Sequence, residues 1–105
     1  MQAAISVIKE SNANIVTFDV KDEQGQPAKD LQPYLGAMGH LVVITADGQR
    51  YVHAHPLTDK SGASQVKFEV HFPSPGLYKM WGQFQKDNEV LTIPAVIEVS
   101  NTDPA

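Results

Sequence analysis

The chain has 105 residues, the size of one ordinary domain, and its 42% hydrophobic and 19% charged content is that of a globular core under a solvated surface. Its net charge of −4, with Lys9, Lys21, Lys29, Arg50, Lys60, Lys67, Lys79 and Lys86 scattered singly, argues against the cationic track that a nucleic-acid backbone requires. No apolar run approaches the roughly 20 residues that cross a bilayer, and Met1-Gln2-Ala3-Ala4 has no signal-peptide pattern, so residues 1–105 read as one soluble domain without a membrane span.

Period-two alternation dominates the chain, and it predicts seven strands near residues 3–9, 14–20, 40–46, 50–55, 65–72, 77–86 and 90–99. The first two are separated by Ser11-Asn12-Ala13-Asn14, and the second, with Val16, Phe18 and Val20 on one face, runs into the turn Glu23-Gln24-Gly25-Gln26-Pro27. Asp30 to Gly39 is irregular: Leu31, Pro33, Tyr34, Leu35 and Met38 are apolar, but Pro33, Gly36 and Gly39 interrupt them. It reads as a structured connection packed over one end of the fold. Asp47-Gly48 then joins the third and fourth strands, Lys60-Ser61-Gly62 the fourth and fifth, and Pro73-Ser74-Pro75-Gly76 leads into the sixth, whose Tyr78, Met80, Gly82 and Phe84 share a face. A final turn at Lys86-Asp87-Asn88-Glu89 precedes Leu91, Ile93, Ala95, Ile97 and Val99.

Short strands with frequent turns and no helical window predict a seven-stranded antiparallel, immunoglobulin-like β-sandwich, with a cupredoxin-like sandwich as the alternative. Tyr78, placed just after Pro75-Gly76 at the start of a late strand, fits the tyrosine corner of such sandwiches.

The Asp47-Gly48 hairpin carries the candidate site. A two-residue type I′ turn sets each cross-strand pair to sum to 95, which places Ile44 opposite Tyr51, Val42 opposite His53 and His40 opposite His55. His40, His53 and His55 then share one face beside Met38, a donor set that suits copper and, less selectively, zinc. The competing reading makes the same histidines hydrogen-bonding struts of the hairpin. His71 alternates with Gln65, Lys67 and Glu69 and reads as solvated, Met80 as core, and Trp81 as an outward side chain that marks a contact surface or lies under a loop. None of G-x-S-x-G, H-E-x-x-H, Walker A or G-x-G-x-x-G occurs, so no catalytic residue is assigned.

Three segments together, Leu31-Gln32-Pro33-Tyr34-Leu35-Gly36-Ala37-Met38-Gly39-His40, Tyr51-Val52-His53-Ala54-His55-Pro56 and Phe72-Pro73-Ser74-Pro75-Gly76-Leu77-Tyr78-Lys79-Met80-Trp81, resemble the YtkA-like group of secreted bacterial β-sandwich domains. The likeness spans roughly residues 14–99. It implies an extracytoplasmic (periplasmic or secreted) setting and a metal, with His40, His53 and His55 as ligands. Cysteine is absent, which fits either side of the membrane. The leading expectation is therefore a non-enzymatic, metal-binding domain. Its rival is an interaction module with structural histidines, partnered by another protein or a second copy of itself.

Overall fold

A computed structural model describes residues 2–10, 13–29, 31–58 and 64–100. The expected turns at Ser11-Asn12 and Lys60-Ser61-Gly62, together with Asp30, Asp59 and the tail from Asn101, lie outside the described residues.

Eight strands form: β1 (Gln2–Glu10), β2 (Ala13–Lys21), β3 (His40–Thr45), β4 (Tyr51–Val52), β5 (Ala54–Pro56), β6 (Gln65–Val70), β7 (Gly76–Lys86) and β8 (Glu89–Val99). They build two antiparallel four-stranded sheets, ordered β1-β2-β6-β5 and β4-β3-β7-β8. With the strands lettered in chain order, this is the ABED sheet of an immunoglobulin-like sandwich packed on CFG, with β4 added at the outer edge of strand C.

The strand expected at 50–55 is two strands, which is why eight appear rather than seven. β4 pairs with β3 in the second sheet, whereas β5 pairs with β6 in the first. Alternation survives the crossing: Val52 is buried, Ala54 and Pro56 are half-buried, and His53 and His55 are exposed. Both sheets face one core, so a chain can pass from one to the other without changing which side chains point inward. Pro56 is tolerated because β5 is an edge strand.

Three phenylalanines centre the core. Phe18 meets Phe68 edge-on at 6.0 Å between ring centroids and Phe84 at 5.4 Å, and all three are fully buried. Leu31 and Met38 are buried as well, so the irregular connection plugs one end of the sandwich as its apolar residues suggested. Gln32 fastens it there, accepting from the Asn88 amide at 2.7 Å through its side chain and donating its own amide to the Gln85 carbonyl at 2.7 Å.

The two-residue type I′ turn expected at Asp47-Gly48 is found at a different hairpin. The type I′ conformation belongs to Asp87-Asn88, where both residues have positive φ, 53° and 63°, and a two-residue turn joins β7 to β8. At Asp47-Gly48 only Gly48 has positive φ. The ladder closes instead at Thr45 and Arg50 around a four-residue loop, with the Gly48 amide bonded to the Thr45 carbonyl at 2.8 Å. A two-residue and a four-residue loop centred on the same point give the same register, so Ile44 does face Tyr51 as expected. The Asp47 carboxylate accepts from the Thr45 hydroxyl at 2.6 Å and from the Gln49 amide at 3.0 Å, and these bonds hold its pKa below the usual carboxylate value.

Tyr78 is buried at the start of β7, donating its hydroxyl proton to the Ser74 carbonyl at 2.6 Å and accepting from the Ser74 amide at 3.4 Å. The tyrosine corner is therefore present. Tyr78→Phe strands both Ser74 groups in a partly buried place, and chemical denaturation should register a loss of about 1 kcal/mol. Unchanged stability would reduce this corner to a packing contact.

Candidate functional site

His40 opens β3, where its cross-strand neighbour is Gln83 of β7. Its Nε2 lies 2.6 Å from the Tyr34 carbonyl oxygen. A carbonyl only accepts, so this nitrogen carries its proton and has no free lone pair for a metal. The imidazole also meets the Tyr34 ring edge-on at 5.5 Å. Tyr34 and Ala37 bond reciprocally, at 2.7 and 3.2 Å, around Leu35 and Gly36, both with positive φ (52° and 85°). A bulky residue such as Leu35 rarely adopts that conformation, and the His40 bond is one of the contacts that hold it.

The expected opposition of His40 to His55 and of Val42 to His53 is corrected by the sheet crossing. The β3–β4 ladder ends at Val43 and Val52, and His55 faces Glu69 of β6 instead. Met38, the proposed thioether ligand, is fully buried in the core. Of the four residues expected to gather, the structure keeps His53 and His55 as exposed side chains two apart on one strand path. It assigns His40 to the other sheet and Met38 to the interior. Opposite His55 stands Glu69, and next on its outward side is His71, read from its alternation as solvated, with His71 Nε2 3.6 Å from Glu69 Oε1. The turn expected at Lys60-Ser61-Gly62 lies outside the described residues, and no two-residue rule like that of Asp47-Gly48 spans the stretch from Pro56 to Gln65 to set the register of β5 against β6.

A second feature lies on the outer face of the β4-β3-β7-β8 sheet. The register aligns Val42, Trp81 and Pro94 in one row, and Tyr51, Ile44, Lys79 and Val96 in the next. Exposure is large for aliphatic and aromatic side chains: Tyr51 82%, Val96 66%, Leu77 51% and Val42 39%. Lys79, Trp81, Pro94, Ala95 and Val96 line a shallow open depression within this area. Among the described residues no carboxylate pairs with Lys79. At one end the face becomes polar, with His40, Gln83 and Thr92 in a row and Gln83 donating to the Thr92 hydroxyl at 3.4 Å.

The outer face of the other sheet has the composition expected of a solvated surface. Its rows are Gln65, Asp19 and Ala4, then Lys67, Thr17 and Ser6, and only the row of Glu69, Ile15 and Ile8 brings apolar groups outward. The two sides of the sandwich therefore differ, and Trp81, read from its alternation as outward, is half-buried at the centre of the apolar one.

Among the described residues no helix is long and apolar enough to cross a membrane. No curated protein and no solved structure matches the chain. A family model described as a domain of unknown function, DUF8832, matches residues 3–101, nearly the whole length, and the chain belongs to that family.

Proposed function

We propose that the domain is a non-catalytic interaction module that seats a folded partner protein on the outer face of its β4-β3-β7-β8 sheet. The observation that carries this reading is the asymmetry of the sandwich: one outer face is polar apart from Ile8 and Ile15, the other presents Tyr51, Val42, Trp81, Pro94, Val96 and Leu77 to solvent. Contiguous exposed apolar area on a soluble domain is costly to maintain and marks a surface that is covered in use. A half-buried Trp ringed by aliphatic residues is the composition of an interface hot spot.

The chemistry of the occupant follows from Lys79. It stands in the middle of the patch, so a two-fold pairing of copies centred there would press two ammonium groups together. A different protein with a carboxylate opposite Lys79 fits better. An extracytoplasmic setting is part of this reading and is supported by the resemblance to exported sandwich domains.

The test is site-specific photocrosslinking in the native host. A crosslinker replacing Val96 or Tyr51 should yield one discrete protein adduct, and Trp81→Ala should abolish it, while a crosslinker at Thr17 on the opposite sheet should yield none. Val96→Glu should also abolish the adduct formed from Tyr51. Because Val96 is outside the core, that change should shift stability by no more than about 0.5 kcal/mol. Equal adducts from both faces, or none from either, would sink the reading.

A further inference from the structure

The sheet crossing gives the segment after Val52 a new set of cross-strand neighbours. His55 lies directly opposite Glu69 in the β5–β6 ladder. Cβ atoms of such pairs are about 5 Å apart. His71 follows Glu69 by two residues and His53 precedes His55 by two, so both lie on the same outward side. The three histidines are exposed and Glu69 is half-buried, while Val52, Ala54 and Val70 between them turn inward. The β5–β6 ladder ends at Ala54 and Val70, so His53 and His71 stand just beyond it, each next to one member of that last pair. This array has His55 and Glu69 paired across the ladder, with His53 and His71 as the next outward residues on their own strand paths.

We propose that this array is a binding site for a divalent transition metal of the Cu(II) and Zn(II) class, with His55, Glu69 and His71 as ligands and His53 as the adjacent fourth donor. A pair of donors two apart on one strand, facing donors on the next, is a frame from which three side chains can reach one ion at about 2.0–2.2 Å. Imidazole nitrogen with one carboxylate oxygen is the donor chemistry such ions prefer. One contact is already made, between His71 Nε2 and Glu69 Oε1. As the side chains stand, no three such donors among the described residues are gathered around a point that could hold an ion. The site therefore closes by side-chain rotation, which exposed imidazoles perform freely. The ion organises the ligands, so affinity is that of a surface site and not of a preformed cage. This site is on the opposite side of the sandwich from the apolar face and does not depend on that face having a partner.

The experiment titrates the intact chain with Cu(II) alone and with Zn(II) alone by calorimetry, while histidine ring resonances are followed by NMR. One ion should bind per chain, Cu(II) more tightly than Zn(II). His55→Ala and His71→Ala should each weaken Cu(II) binding by about tenfold or more. Glu69→Gln should weaken it less, and His40→Gln should leave it unchanged. In the unsubstituted chain, Zn(II) should shift the rings of His55, His71 and His53 and spare that of His40. Two results would overturn the proposal: His55→Ala and His71→Ala binding Cu(II) as the parent does, or Zn(II) shifting the His40 ring as much as the others. The NMR arm reads the unsubstituted protein, so it decides even if a variant fails to fold.

Discussion

Phe84→Ala should lower the free energy of unfolding by about 3–5 kcal/mol, the range for emptying a fully buried aromatic position. The ring has no exposed surface and packs 5.4 Å from the Phe18 ring, which in turn meets Phe68. Truncation removes the transfer free energy of the ring and leaves a void where both sheets converge. Neither sheet can close that void without disturbing its own ladder. A domain of this size has about 5–15 kcal/mol in total, so the variant should unfold at a much lower urea concentration with the same dependence on denaturant. A loss below about 1.5 kcal/mol would mean that the core is not built around this ring.

Gly82→Ala is the sharper experiment, because two effects predict opposite signs. In the interior of a strand, alanine is ordinarily worth about 0.5–1 kcal/mol over glycine. Here a Cβ would lie 2.8 Å from Phe18 Cε2 and 2.9 Å from Phe84 Cε2. Both belong to fully buried rings that cannot swing away, so overpacking should win and cost about 1–3 kcal/mol. Gly39 clears the same ring from the other side, where a Cβ would meet Phe84 Cε1 at 2.8 Å. If this account holds, Gly82→Ala should cost less in a Phe84→Leu background, and the two changes will be non-additive. A stabilised Gly82→Ala would show that strand propensity outweighs the contact.

The sandwich was legible in the sequence because alternation reports directly which side chains point inward, and each expected strand between 3 and 99 is present, the one at 50–55 divided into β4 and β5. Tyr78 was legible for a related reason: the Pro75-Gly76 turn fixes its place at a strand start. The site was harder. The sum rule drawn from Asp47-Gly48 holds at Ile44–Tyr51 and Val43–Val52, then stops where the chain changes sheets. Nothing in the residue pattern marks that departure, since His53 and His55 would be exposed on either path. Glu69 and His71 gained their meaning only from a pairing between segments joined by a long connection, which local turn chemistry does not determine.

Pro94 sits in the middle of β8, the last strand of its sheet, and its position can be phased from the hairpin. Lys86 and Glu89 flank a two-residue turn and so form a hydrogen-bonded pair, after which bonded and non-bonded pairs alternate. Ala95 with Met80 falls among the bonded pairs, and Pro94 with Trp81 among the others. The nitrogen of Pro94 therefore points away from β7, along the open margin of the sheet, where any other residue would offer a donor. A strand from a neighbouring molecule trying to extend this sheet would meet a gap halfway along its template. The apolar face therefore ends at a sheet margin whose row of donors is broken at Pro94.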